Sequence, residues 1–272
     1  MNTKEIMDVA LNLAGLEEAP ADSGIQVEGE NIKKVLIGVD METPEILLGR
    51  ELGVDLVISH HPNSDEARID FHKVMDVQVD KMVEYGVPIN KAQKALAKRK
   101  AEVALNTHVA NYDRASSAAR LLKIPFMNIH LPADIIGEKI VQKYLDDFTG
   151  DKPKATCQDI VDALREMDIY RNAVAGPIIR VGSESSYAGK VIVLFAGGTN
   201  GGTDVFKSYF EAGVGTIVCM HVPDGVRKAV AEQNIGNVIV AGHMASDSIG
   251  LNKIIEALEE KGLEVQKMAG IL

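Results

Sequence analysis

Six short apolar, β-branched runs, separated by stretches of helical pattern, limit this chain to an α/β fold. The runs are "KVLIGVDM" from Lys34, "VDLVISHH" from Val54, "IPFMNIHLP" from Ile124, "KVIVLFAGG" from Lys190, "GTIVCMHVP" from Gly215 and "NVIVAGHM" from Asn237. Several are apolar at consecutive positions, as expected of strands buried on both faces. Helices are expected at about 43–52, 135–148, 203–212, 224–233 and 246–261, each opening near Thr, Asp or Ser. Such side chains accept hydrogen bonds from the free N–H groups of a first turn. Strand and helix alternate along the chain instead of segregating, which argues for α/β and not α+β.

Residues 72–123 break this rhythm with an almost continuous helix-forming stretch, interrupted at "YGVPIN". The segment "TGDKP" (Thr149 to Pro153) has the turn chemistry of a boundary. The expected organisation is therefore two related α/β lobes with mixed sheets. The first spans 1–150 plus 237–272 and carries the helical excursion, and the second spans 151–236. An internal echo supports related lobes: "GVDLVISHHP" from Gly53 and "GVGTIVCMHVP" from Gly213 share Gly-Val, an apolar run, a histidine and a closing proline.

Charge and composition exclude several functions. The formal net charge is −10, so the chain lacks the basic footprint of a nucleic-acid binder. Its two cysteines, Cys157 and Cys219, make neither a disulfide scaffold nor a thiolate metal site. The opening "MNTKEIMDVALNLAG" reads as an amphipathic helix and not a signal peptide, and no apolar run nears the roughly 20 residues that cross a bilayer. A cytoplasmic protein is expected.

Open α/β sheets bind ligands beyond the carboxyl ends of their strands. Four of the six expected strands place a histidine there, in a chain with 7 histidines. His60 and His61 close one strand, His130 with Asp134 another, His221 a third, and His243 with Asp247 a fourth. Imidazole and carboxylate without thiolate suit Zn, Fe, Mn or Co. If the backbone stays extended, His60 and His61 point to opposite sides, which disfavours chelation of one ion; a turn at Pro62 would let them serve two neighbouring ions. His243 and Asp247 share a helix face if the helix begins near Gly242. Asp134 has two oxygens with which to bridge cations, and it also has the chemistry of a helix cap. "AGGTNGGTD" (Ala196 to Asp204) precedes a helix and reads either as a phosphate cradle or as a tight turn; it lacks the Walker lysine.

"VISHHP", "HLPAD" before a helix and "GHMASD" near the C-terminus resemble the three signatures of the GTP cyclohydrolase 1 type 2 family, the Nif-three-like dinuclear metal centre proteins. "ADSGIQVEGENIKKVLIGVDMET" and "FAGGTNGG" resemble that family's opening and second lobe. The resemblance implies two divalent transition-metal ions per chain, held by His60, His61, Asp134, His243 and Asp247. It also implies a homohexamer and GTP cyclohydrolase-like hydrolysis. The expected substrate is a nucleotide-like or phosphate-containing small molecule, with His221 or His130 transferring protons if within reach. A non-catalytic metal-binding scaffold is the alternative. Three departures stand out: the family's polar His-Thr-Asn-x-Asp is His130-Leu-Pro-Ala-Asp134, its terminal glutamate is Asp247, and a long segment follows His61. "THVANYD", with His108 and Asp113, is a rival for the second signature, but it has one residue too many and lies in helix-forming sequence.

Overall fold

The computed structural model describes residues 1–272. In chain order the elements are α1 (Thr3–Ala14), β1 (Gly24–Val27), β2 (Lys34–Gly38), α2 (Thr43–Leu52), β3 (Leu56–Ser59), α3 (Asp65–Ile69), a 3-10 segment (Asp70–Asp76), α4 (Val77–Glu84), α5 (Ile89–His108) and α6 (Arg114–Leu122). There follow β4 (Phe126–Asn128), α7 (Leu131–Asp151), α8 (Cys157–Glu166), α9 (Asp168–Arg171), β5 (Ile178–Val181), β6 (Val191–Leu194) and α10 (Thr203–Glu211). The chain ends with β7 (Thr216–Cys219), α11 (Asp224–Gln233), β8 (Asn237–Val240), α12 (His243–Glu260) and β9 (Glu264–Met268). No helix is long and apolar enough to cross a membrane.

All six expected strands are present, in two mixed sheets, and the fold is α/β. One sheet has the order β1-β4-β3-β2-β9, the other β5-β8-β7-β6. Their designs match. In each, the first strand runs antiparallel to the last of a parallel trio and carries a register shift, between Ile25 and Val27 in β1 and between Ile179 and Val181 in β5. The trios β4-β3-β2 and β8-β7-β6 are parallel throughout. The echo at Gly53 and Gly213 therefore marks equivalent strands, β3 and β7.

The chain forms two compact units. The first comprises residues 1–74, 102–136 and 247–271; the second comprises 75–101, 137–246 and residue 272. The expected grouping of 237–272 with the first lobe is divided, because β8 pairs with β5 and β7 in the second sheet. Residues 75–101 of the helical stretch, and 137–150, likewise belong to the second unit.

In the first unit α2 and α6 cover one face of the sheet. Ile46, Val54, Ala115, Ala119 and Ile124 pack there with Leu36, Val57 and Phe126, all buried. Small residues on α6 allow close helix packing. Local chemistry sets the helix ends: Asn2 caps α1 reciprocally with Glu5, and Thr156 does the same for α8 with Asp159.

Candidate metal centre

The parallel strands of the first sheet end together, and their continuations carry the polar residues. β3 ends at Ser59, one residue before His60 and His61. Because the strand stops there, strand alternation no longer holds the two imidazoles apart. Their ring centroids lie 5.1 Å from each other, tilted by 37°. Backbone bonds fix both: His60 N–H donates to Gly38 and His61 N–H to Val39, each at 2.9 Å. β4 is followed by His130, whose ring lies 4.7 Å from that of His60. Asp134 follows in the first turn of α7, and Asp247 comes from α12.

Each of the three rings is tied through Nδ1. His60 Nδ1 meets the Ile129 carbonyl at 3.0 Å, His61 Nδ1 meets Asp40 Oδ1 at 2.7 Å and His130 Nδ1 meets Asp22 Oδ2 at 2.7 Å. With acceptors at Nδ1, each neutral ring carries its hydrogen there and turns the Nε2 lone pair the other way. All three Nε2 atoms face the two aspartates. Asp134 reaches His60 with Oδ1 at 3.4 Å and His130 with Oδ2 at 3.8 Å. Asp247 reaches His60 with Oδ1 at 3.7 Å and His61 with Oδ2 at 3.6 Å. Its arm, one methylene shorter than glutamate, spans both histidines.

These separations decide the chemistry. His60 Nε2 and Asp134 Oδ1 are buried and make no hydrogen bond, although they are 3.4 Å apart. A buried polar atom left so is costly unless something else binds it. Ligands about 2.0–2.2 Å from a shared Zn²⁺ stand roughly 3.3–3.6 Å from each other. Two trios, His60–His61–His130 and His60–Asp134–Asp247, each offer ligand atoms within 4.8 Å of one another. The donor set of imidazole nitrogen and carboxylate oxygen fits a divalent transition metal, so these residues could hold a metal ion.

The electrostatics agree. Burial alone would lower the His60 pKa, but the carboxylates of Asp247 and Asp134 outweigh it and hold it well above the usual imidazole value. For His130, burial is likewise overcome by Asp134 and Asp22. The aspartates around His60 and His130 thus favour a positive charge between them, as excess buried negative charge does. Solvent access lies on the His61 side: its side chain is 26% exposed, against 1% for His60 and 3% for Asp134. Phe71, from the 3-10 segment, lies against His130 with ring centroids 5.5 Å apart, so the long segment after His61 contributes a wall.

Five of the expected site residues, His60, His61, His130, Asp134 and Asp247, meet in the first unit. In the second, His221 follows β7 and is exposed, and its ring lies 4.9 Å from that of half-buried His243. His243 opens α12, one turn before Asp247. The rival pair does not join them: His108 ends α5, Asp113 precedes α6, and both are exposed. Asp22, which holds the His130 ring, is the cluster residue that sequence reading missed. It precedes β1, whose antiparallel course sets Gly24 opposite Asn128, so an amino end lies beside the trio's carboxyl ends. Ser23 and Asn128 lock it there, Ser23 Oγ accepting from the His130 N–H at 2.9 Å and Asn128 Nδ2 donating to the Asp22 carbonyl at 2.6 Å.

The glycine-rich loop has a different use from a phosphate cradle. Three of its N–H groups are taken internally, Thr199 by the Gly197 carbonyl at 2.8 Å, Gly201 by Thr199 Oγ1 at 3.2 Å and Gly202 by Asn200 Oδ1 at 3.1 Å. The loop wraps the buried Gln78 side chain. Gly197 and Gly201 have φ of 101° and 77°, a left-handed backbone that favours glycine, and a Cβ there would also stand 2.6 or 2.4 Å from Gln78 atoms.

A solved structure described as a NIF3 superfamily protein from Sphaerobacter thermophilus is 38% identical, with a TM-score of 0.96 over 99% of this chain and 98% of that one. The chain belongs to the NIF3 superfamily. Reduced HcgD from Methanocaldococcus jannaschii (18% identity, TM-score 0.61, 98% of this chain and 97% of that one) shares the fold. So does a protein from Thermus thermophilus, TTHA1606 (18% identity, TM-score 0.51, again 98% and 97%). No protein-family model matches the chain, and no curated protein does. The family resemblance carried by the histidine motifs and the NIF3 fold thus agree.

Proposed function

We propose that this NIF3 protein is a dinuclear metal-dependent hydrolase acting on a nucleotide-like or phosphate-containing small molecule. One observation carries the reading: each buried aspartate presents separate oxygens to two different imidazoles, an arrangement suited to bridging two cations. His60, His61, His130, Asp134 and Asp247 would hold the ions, with His243 the further ligand that the family resemblance implies. Two bound divalent cations would supply Lewis-acid polarisation of a substrate and water acidified for attack.

The chain's own residues do the rest. Asp22, Asp40 and the Ile129 carbonyl fix the three rings, and such outer partners also raise ligand basicity. His130, expected as a proton carrier, is better used as a ligand because both of its nitrogens face carboxylates. Exposed His221 is left for proton transfer, which requires a group within hydrogen-bond reach of the substrate. The internal bonds of the Thr199, Gly201 and Gly202 N–H groups give no support to phosphate binding at the glycine loop.

A second reading, a metal-binding scaffold without turnover and assembled as a homo-oligomer, draws on the depth of the cluster. His60, Asp134 and Asp247 side chains are each at most 3% exposed, and closed sites are typically structural. Metal-reconstituted protein incubated with a panel of nucleotides and phosphoesters, with products resolved by chromatography, separates the two. Metal-dependent consumption that is lost in His61→Ala supports the hydrolase. Full metal loading with no substrate consumed replaces it with the scaffold.

A further inference from the structure

β6 is the last strand of the second sheet, with β7 on one side and no strand on the other. In a parallel pair, alternate residues turn both backbone groups toward the same neighbour. The Lys190 carbonyl accepts from Thr216 N–H at the start of β7. Lys190, Ile192 and Leu194 therefore face β7, and Val191, Val193 and Phe195 face outward. Side chains meet those outward groups in order. Gln142 Nε2 donates to the Val191 carbonyl at 3.2 Å, and its Oε1 accepts from the Val193 N–H at 2.7 Å. Lys81 Nζ donates to the Val193 carbonyl at 2.7 Å. Glu138 Oε2 accepts from the Phe195 and Ala196 N–H groups at 2.8 and 2.9 Å, while its other oxygen pairs with Lys81. Gln78 Nε2 continues the series, donating to the Gly197 and Thr199 carbonyls at 2.7 and 2.6 Å. Four side chains from α4 and α7 reproduce the donors and acceptors of a neighbouring strand.

The first sheet shows what kind of strand that position takes. Its equivalent of β6 is β2, and the outer side of β2 is occupied by β9, paired in parallel from Lys34–Glu264 to Gly38–Met268. β2 opens Lys34-Val35, and β6 is entered through Lys190-Val191. A place filled by a strand in one sheet is filled by side chains in the other.

The geometry points to a guard: Gln78, Lys81, Glu138 and Gln142 keep the β6 edge from taking up a strand of a second copy, and the segment that edge fits is the terminal strand β9. Uncovered edges template pairing with other chains, and exchange of an identical element between copies is a low-cost route to association. α4 supplies half of the guard, which gives this part of the helical stretch a role that does not depend on the metal centre.

The test uses a Glu138→Ala/Gln142→Ala variant of the full chain and a fluorescein-labelled peptide of residues 263–270, read by anisotropy. The guard predicts saturable binding to the variant, about tenfold or more tighter than to wild type, and none of a scrambled peptide. It also predicts light scattering that rises with variant concentration beyond the wild-type curve. Equal binding by variant and wild type, or equal binding of the scrambled peptide, overturns it. If the double variant does not fold, Gln142→Ala alone is followed by residue-resolved hydrogen exchange. Faster exchange at Val193, with Phe195 and Ala196 unchanged, supports the guard; unchanged exchange at Val193 overturns it.

Discussion

The direction of three nitrogen lone pairs is what would let this cluster hold a metal ion, and residues beside the histidines fix it. Asp22 is the clearest case, because its 2.7 Å contact holds the hydrogen of His130 on Nδ1. Asp22→Asn keeps the shape but can present an N–H where an acceptor is needed. Metal affinity should fall about 10–100-fold, as for other outer-shell partners, with little change in melting temperature of the metal-free protein. Competition titration against a chromophoric chelator checks this; unaltered affinity would show that backbone packing orients the ring. The clustered histidines themselves are legible because histidine at the ends of several strands is a pattern chance would not give. Asp22 is not, since it precedes a strand and only a fold with one antiparallel strand brings it in. The mutual orientation of His60 and His61 is not legible either, because nothing in "SHHP" says whether the strand stops at Ser59 or continues.

The expected helix carrying Asp247 exists, but its closeness to α7 rests on one residue that no motif marks. A Cβ at Gly250 would stand 1.9 Å from the Ala133 carbonyl oxygen, so the two helices meet at backbone distance beside Asp134 and Asp247. Gly250→Ala must push them apart. A loss of about 1–3 kcal/mol in denaturant unfolding is expected, together with weaker metal binding; an unchanged midpoint would contradict the close packing. At α8, Asp159 is held down to about 2, chiefly by Lys152 and then by the Thr156 backbone N–H and hydroxyl. A carboxyl whose folded pKa is depressed stabilises above its unfolded value near 3.8 and loses that contribution as pH falls toward 2. Wild type should therefore exceed Asp159→Asn in stability at pH 6, and the gap should close between pH 4 and pH 2. A gap independent of pH would assign the effect to the helix cap alone. Burial separates the strands that sequence reading found from those it missed. β1, β5 and β9 are edge strands with half-exposed or exposed positions and no continuous apolar run. β6 is also an edge, yet it reads as buried because α4 and α7 cover it.

Across the molecule, one sheet design is used twice and equipped differently. The first copy gathers imidazoles and carboxylates where its strands end; the second continues β6 into a loop wrapped around Gln78. Composition and echo disclosed the repetition, while the division of the chain inside α5, α7 and α12 could not be read from it, since a continuous helix gives no sequence signal where it passes from one unit to the other. A ligand that binds only the folded chain stabilises it, by about 2.7 kcal/mol at a hundredfold excess over its dissociation constant. Chelation should accordingly lower the melting temperature, and re-addition of Zn²⁺, Mn²⁺ or Fe²⁺ should restore it. The most direct measurement is elemental analysis by mass spectrometry of tag-free protein and of His61→Ala. About two transition-metal ions per chain are expected, with fewer in the variant. No bound metal in the wild type, even after reconstitution with zinc, manganese and ferrous iron, would contradict the dinuclear centre.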